Sequence, residues 1–347
     1  MIRDRWYAAL DSREVRRGQV VGVTRFGEKL ALWRAASGEV GCAVDLCVHR
    51  GAALSAGCVV GDHVECPFHG FQYDTSGRCQ VLPANGRATP IEERFRVRAY
   101  PVRDAHGFLW IYWGEAPDEL PPLPWFDDLD DSFYYSQFID PWPMHYSRCI
   151  ENQLDVVHLP FVHRTTIGRG GRAVVEGPIV DRDGERLRFD VFNRHDDGTP
   201  PRKAEELDRK DSPVHLDFHY PNIWQNWLNE KVRVMISFVP VDEHNSRLYM
   251  RYYHKVVPVP GIAHLVAWLG KLFSIVILRQ DKRVVVTQRP HRSDLKMGEQ
   301  LVPGDRPITE YRMVRQKLLE GQEPADETLQ ERLALGADQA DEATSPS

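Results

Sequence analysis

The sequence predicts an α+β fold in two parts: an all-β N-terminal half, then an antiparallel sheet carrying helices. Three observations point to it. Short β-prone runs broken by Gly- and Asp-rich turns fill residues 5–115, four prolines interrupt the chain in PDELPPLP at 117–124, and longer apolar strands mix with helical periodicity thereafter. At 347 residues the chain has room for two separate cores.

The N-terminal runs at 19–24, 29–33 and 107–113 are rich in Val, Leu, Phe and Trp and bounded by Gly, Asp-Gly-like and Ser-Gly turns. The proline stretch suits neither helix nor central strand, so it marks a junction, with domains expected over 1–120 and 121–322. Beyond it the pattern predicts a helix near 146–159, strands at 174–195, 214–220, 231–240 and 246–257, an apolar helix over 261–280 and an amphipathic helix over 308–320. The Asp-, Ala- and Ser-rich remainder, 323–347, is expected to be an acidic disordered tail.

Charge and composition exclude several classes. The formal charge is -6, with 42% hydrophobic and 27% charged residues, ordinary for a globular chain. Residues 321–347 hold seven acids and one base, which leaves the body with 43 of each sign and nothing built to attract nucleic-acid phosphates. The opening MIRDRWYAAL has no apolar core, so a cytoplasmic location is expected. The 261–280 run is interrupted by His264 and Lys271, and a core or interface helix explains it without membrane insertion.

Five of six cysteines, Cys42, Cys47, Cys58, Cys66 and Cys79, precede residue 80; only Cys149 lies elsewhere. Without a leader-like opening, such a cluster favours a metal site over disulfides. Cys47-Val48-His49, then Cys66-Pro67-Phe68-His69, offers two short loops with one thiolate and one imidazole each. Two such loops can close over a binuclear iron-sulfur cluster, both Cys on one iron and both His on the other. Four Cys and His ligands also suit zinc, and the flanking residues have to decide.

The run CVHRGAALSAGCVVGDHVECPFHGFQYDTSGRC resembles the cluster-binding loops of Rieske non-haem iron oxygenases over more than 30 residues. Ala52, Phe68 and Phe71 stand where respiratory-chain Rieske proteins carry their extra cysteines and a serine, so the resemblance implies a low-potential oxygenase-type [2Fe-2S] cluster held by Cys47, His49, Cys66 and His69. Cys42, Cys58 and Cys79 fit no ligand position. The resemblance further implies a Rieske domain followed by a helix-grip, START-like catalytic domain.

A second constellation lies in ENQLDVVHLPFVH at 151–163. On a continuous helix, Asn152, Asp155 and His158 share one side. His158 and His163, five apart, would diverge on that helix, and Pro160 is expected to break it so that both imidazoles reach one metal. Two histidines and a carboxylate form the face that oxygen-activating Fe(II) uses. The stretch resembles the oxygenases' Asn-x-x-Asp-x-x-His-x-x-x-x-His motif, which implies His158 and His163 as iron ligands, Asp155 as the link between the metal centres and Asn152 as a supporting catalytic residue. The segment around Asp281, after the apolar helix and seven before Gln288, resembles the one where the family's third ligand stands and implies Asp281 for that place, the alternatives being Asp155 itself as ligand and Asp281 as a helix-terminal surface acid; the family more often has an acid at the position of Gln280.

The same resemblance implies a terminal oxygenase of the vanillate and dicamba O-demethylase branch, inserting one oxygen atom into a small aromatic or heterocyclic substrate by hydroxylation or O-/N-demethylation. It implies a head-to-tail homotrimer in which His69 of one subunit hydrogen-bonds Asp155 of the next. Electrons are expected from NAD(P)H through a separate reductase, possibly with a ferredoxin, because Gly168-Arg169-Gly170-Gly171 does not sit between strand and helix as dinucleotide fingerprints do. Substrate contacts are expected among Trp224, Asn226, Trp227, His215, His219 and His254. The alternatives are a cis-dihydroxylating dioxygenase, a Rieske electron carrier without oxygenase chemistry, and a structural zinc protein.

Overall fold

In the computed structural model, residues 1–86 and 88–321 are described; the expected acidic tail over 323–347 lies outside them. The chain divides into one unit of Met1–Leu123 with Val239–Glu243, and a second of Pro124–Phe238 with the residues from His244 onward. The small excursion at 239–243 is held to the first unit by backbone bonds from Phe26 and Gly27 to the carbonyls of Pro240 and Val241.

The first unit is all-β, in three small sheets. β1 (Arg5–Asp11), β10 (Phe108–Trp113) and β9 (Val102–Ala105) form one; β2 (Val20–Arg25), β3 (Glu28–Arg34) and β4 (Val40–Val44) a second; β5 (Cys58–Val60), β6 (His63–Glu65), β7 (Gln72–Tyr73) and β8 (Cys79–Val81) a third. Tyr7, Leu10, Leu30, Leu32, Leu109 and Ile111 interlock between the first two sheets. A second cluster, including Trp33, Leu54, Val64 and Tyr73, encloses Cys47 and Cys66. Burial of this apolar surface is what holds the small sheets together.

The second unit is built on a seven-stranded sheet in the order β11-β17-β16-β15-β14-β13-β12. Its strands are β11 (Tyr134–Trp142), β12 (Val174–Asp183), β13 (Arg186–Arg194), β14 (His215–His219), β15 (Ile223–Asn229), β16 (Val232–Pro240) and β17 (Ser246–His254). The expected 174–195 strand segment is a hairpin turned at Gly184. Two strands, β11 and β15, were not anticipated: Asp140 and Pro141 in one, and Gln225, Asn226 and Asn229 in the other, are poor strand formers that tertiary pairing overrides.

Among the described residues four helices accompany the sheet: α1 (Tyr146–Leu154), α2 (Leu159–Val162), α3 (Pro260–Val285) and α4 (Arg306–Leu319). α3 packs on β11 and β17 through Ala263, Ala267, Ser274, Leu278 and Val285, spaced at helical period. A Cβ on Gly270 would lie 2.2 Å from the Tyr252 ring, so only glycine lets the helix approach β17 this closely. α3 is the one described helix long and apolar enough to cross a membrane, and its outer face, with Ile262, Leu265, Trp268 and Leu272, is exposed.

The expectation of one helix over 146–159, broken at Pro160, needs correction. α1 ends at Leu154, because Asp155 is extended (φ -76°, ψ 125°) and its Oδ1 accepts from the backbone N–H groups of Val157 and His158 at 2.6 and 3.2 Å. This side-chain turn competes with helical bonding and wins. Asn152 and His158 therefore do not share a helix, and Pro160 opens α2 instead of ending α1. Asp281, expected just after the apolar helix, lies inside α3.

Candidate metal centres and substrate cavity

The two loops of the first unit, Cys-x-His at 47–49 and Cys-x-x-His at 66–69, are closed by the same backbone bonds. Cys47 N–H bonds the carbonyl of Ala52 and Gly51 N–H that of Cys47; Cys66 N–H bonds the carbonyl of Phe71 and Gly70 N–H that of Cys66, all at 2.8–3.1 Å. Gly51 and Gly70 hold φ +72° and +71°, left-handed values that permit each chain reversal. The turns place Cys47 and Cys66 inside, 2% and 1% exposed, and bring His49 Nδ1 within 3.1 Å of His69 Nδ1 nearer the surface. Phe71 stacks on His49 with ring planes 7° apart, fixing the imidazole.

Two imidazole nitrogens at 3.1 Å fit one metal, since ligands at bonds of about 2.1 Å and near right angles lie about 3 Å apart. With the paired buried sulfurs behind them, the donor set fits a cluster with thiolates inward and imidazoles outward. Tyr73, on β7, places its hydroxyl 3.1 Å from Cys47 Sγ. Burial, and then the neighbouring Cys47 sulfur, push that hydroxyl well above its ordinary pKa, so it stays protonated and donates to the sulfur. Cys42 and Cys79 are buried, Cys58 is exposed, and none supplies a further histidine-paired loop.

In the second unit, the α1–α2 connection and α3 converge three donors. His158 Nε2 and His163 Nε2 are 3.2 Å apart, and Asp281 Oδ1 lies 3.4 and 2.9 Å from them. His158 precedes α2 and His163 follows it, so one short turn separates the imidazoles and presents both to one point. His163 and Asp281 are buried and His158 nearly so.

A glutamine fixes the orientation of one imidazole. Gln280 Nε2 donates to Thr165 Oγ1 at 3.1 Å, and its Oε1 accepts from Thr166 Oγ1 at 2.9 Å. That Oε1 also faces His163 Nδ1 at 2.8 Å, so Nδ1 carries the hydrogen. With that hydrogen on Nδ1, His163 turns Nε2 toward the carboxylate of Asp281 and toward His158, the nitrogen free to bind a cation there. Burial works against a charged His158, but the carboxylates of Asp155 and Asp281 outweigh it and raise its pKa to about 9. Burial likewise opposes ionised Asp281, yet the two histidines hold it below the ordinary carboxylate range. Two imidazoles and one carboxylate on one face fit Fe(II).

The amides of Asn152 and Gln153 stand behind Asp281. Asn152 Nδ2 is 3.5 Å from Oδ1, Gln153 Nε2 is 3.4 Å from Oδ2, and Gln153 also donates to Asn152 Oδ1 at 2.8 Å. Asn152 thus stands beside the carboxylate, at the limit of hydrogen-bond reach. Asp155 keeps Oδ2 3.5 Å from His158 Nδ1 and is partly exposed. Sequence reasoning missed Gln153, Tyr73 and the partner role of Gln280; a QYD run after the second loop and an amide adjoining the ligand carboxylate were the available signals.

The triad closes one end of a cavity of about 180 Å³ between α3 and the sheet. Of the six expected substrate contacts, only Trp224 and Asn226 line it, two apart on the inward face of β15. The others are structural. His215 stacks on Trp227 at 4.7 Å, His219 packs on Phe126 with its Nδ1 3.2 Å from the Pro124 carbonyl, and His254 donates to the Ala263 carbonyl in the first turn of α3. Gly168–Gly171 lies in the loop between α2 and β12.

Two family models match the chain: the Rieske [2Fe-2S] domain over residues 5–101, and the vanillate O-demethylase oxygenase C-terminal domain over residues 142–321. A chlorophyllide a oxygenase of Chlamydomonas reinhardtii is 34% identical over 49% of this chain, which spans only 26% of that protein's length. The methylxanthine N1-demethylase NdmA of Pseudomonas putida is 26% identical over 83% of this chain and 80% of its own. The solved NdmA structure has a TM-score of 0.73 at 22% identity, covering 91% of this chain and 90% of that one. Dicamba monooxygenase bound to 3,6-dichlorosalicylic acid has a TM-score of 0.68 at 21% identity, over 92% and 98% of the two chains. At these identities the structural likeness carries the fold.

Proposed function

The chain belongs to the Rieske non-haem iron oxygenases with a vanillate O-demethylase-type C-terminal domain, and on that premise we propose that it is a terminal oxygenase inserting one atom of O2 into a small aromatic or heterocyclic substrate. The observation that carries the reading is the convergence of His158, His163 and Asp281 at the end of a substrate-sized apolar cavity. An apolar cavity of ~150 Å³ holds benzene, so about 180 Å³ admits one ring with small substituents.

Iron bound by the triad supplies dioxygen activation, fed by single electrons from the Rieske cluster. The chain's residues set the stage. Gln280 holds His163 in the tautomer that frees Nε2, Asn152 and Gln153 steady Asp281, and Leu216, Ile236 and Met250 help exclude water from the substrate's face. One oxygen atom enters a C–H bond of the substrate; the other leaves as water with two electrons and two protons. On an O-methyl or N-methyl group the product is a hemiacetal or hemiaminal, which collapses to formaldehyde and the demethylated compound.

The electrons come from NAD(P)H through a separate reductase, with or without a ferredoxin, in the cytoplasm. The working form is a homotrimer in which the partly exposed carboxylate of Asp155 meets His69 of the adjacent subunit. The anchoring of Asp155 Oδ1 to two backbone amides, with Oδ2 left toward His158, supports that role.

The test is anaerobic reduction of the holoenzyme, then O2 with a panel of methoxy and N-methyl aromatics. Formaldehyde in step with substrate loss is the expected result. A hydroxylated product without formaldehyde would leave the oxygenase but remove demethylation. A cis-dihydrodiol would overturn single-atom insertion.

A further inference from the structure

The cavity carries two polar groups that the chain itself leaves unanswered. Trp224, 3% exposed, and Asn226 stand two apart on β15, and Trp224 Nε1 and Asn226 Oδ1 are both buried with no hydrogen-bond partner. Their surroundings offer no remedy. Asn226 pairs across the sheet with Leu216 on one side and Val234 on the other, and Trp224 pairs with Ile236. A buried indole N–H and a buried amide oxygen are retained at a cost in stability, and a ligand that answers them recovers it.

Charge narrows the ligand further. Among the described residues no Lys or Arg lines this cavity, whereas the carboxylates of Asp155 and Asp281 do. Away from the triad, a carboxylate or a sulfonate would be desolvated there with no Lys or Arg to meet it.

Building on the oxygenase reading above, we propose that Trp224 and Asn226 select an uncharged ring compound bearing a carbonyl-type acceptor and an N–H or O–H donor, the acceptor taking the Trp224 N–H and the donor meeting Asn226 Oδ1. A primary or secondary amide on a methoxy-substituted ring has both groups. This makes the two residues specificity determinants, set apart from the iron ligands. A site that hydrogen-bonds a substrate group rejects analogues lacking it more strongly than an apolar pocket rejects a change of shape.

Binding is measured by calorimetry on the oxidised holoenzyme, which has no electrons to turn substrate over, with 4-methoxybenzamide, 4-methoxytoluene and 4-methoxybenzoate. The amide is expected to bind at least about tenfold more tightly than either analogue. Trp224→Phe, and separately Asn226→Leu, should each cost the amide about tenfold while leaving methoxytoluene unchanged, with the cluster's visible absorbance retained as proof of folding. Tighter binding of the benzoate, equal loss for amide and methoxytoluene, or no binding by any of the three would overturn the assignment. Equal affinities across the series would mean that ordered water answers both groups, and would overturn it too. Amide binding as expected with no oxygenated product on reduction would leave the selection standing and sink the oxygenase reading. Turnover with no preference for the amide would do the reverse.

Discussion

Gln280 Oε1 lies 2.8 Å from His163 Nδ1, across 117 residues of sequence, and is held there by Thr165 and Thr166. The contact decides which nitrogen of His163 is free for metal. The carboxamide orients the ring but adds no negative charge, so His163 is a weaker electron donor than a carboxylate-paired imidazole. Gln280→Leu should weaken Fe(II) affinity about 10- to 100-fold, read by chelator competition, and Gln280→Glu should strengthen it. Wild-type affinity in the leucine variant would show that the contact orients nothing.

Tyr73 bears on the other metal in the same way. Its hydroxyl donates to Cys47 Sγ, and that bond grows stronger as the cluster gains an electron. If the reduced form gains about 1.5 kcal/mol from it, Tyr73→Phe lowers the reduction potential by about 60 mV. Redox titration followed by EPR measures this directly, and an unchanged potential would remove Tyr73 from the tuning of the cluster.

How far the sites were legible depends on sequence distance. The Cys47/His49 and Cys66/His69 loops are written locally, because each turn is closed by backbone bonds within five residues and a glycine of positive φ. His158 and His163 were equally local, but the helix leading up to them was misread: periodicity alone does not show that Asp155 will bond two backbone amides and end α1 early. The roles of Gln280, Gln153 and Tyr73 left only faint signals in the sequence, since each depends on a partner brought in by tertiary folding. Among six suggested pocket residues, the alternation of β15 was the missing information, and β15 itself, with its amides, did not look like a strand.

Asp155 is the most exposed acid of the catalytic stretch that still touches a candidate ligand, at 3.5 Å from His158 Nδ1. Asp155→Asn is expected to leave cluster absorbance intact and lower turnover by at least about a hundredfold. Normal turnover in that variant would refute the carboxylate bridge between subunits.

Glu151 fixes the end of α1 from which Asn152, Gln153 and Asp155 extend. It accepts from Arg312 at 2.7 and 3.0 Å and from Arg148 at 3.0 Å, and both arginines also reach Glu299 at 2.7 Å. Glu151→Ala would leave two buried guanidinium groups under-compensated, at a cost of about 3–5 kcal/mol to the unit that contains them. Denaturant unfolding of that unit gives the value, and a loss below about 1 kcal/mol would mean that Glu299 alone suffices.

The central claim, that one chain holds an iron-sulfur cluster and a separate mononuclear iron at His158, His163 and Asp281, is tested most directly by metal and sulfide analysis with EPR, comparing the protein with its Asp281→Ala variant. The account predicts that the variant loses one iron per chain while labile sulfide, visible colour and the signal of the reduced cluster stay unchanged. A colourless wild-type protein, zinc in place of iron, or a variant that keeps all its iron would contradict it.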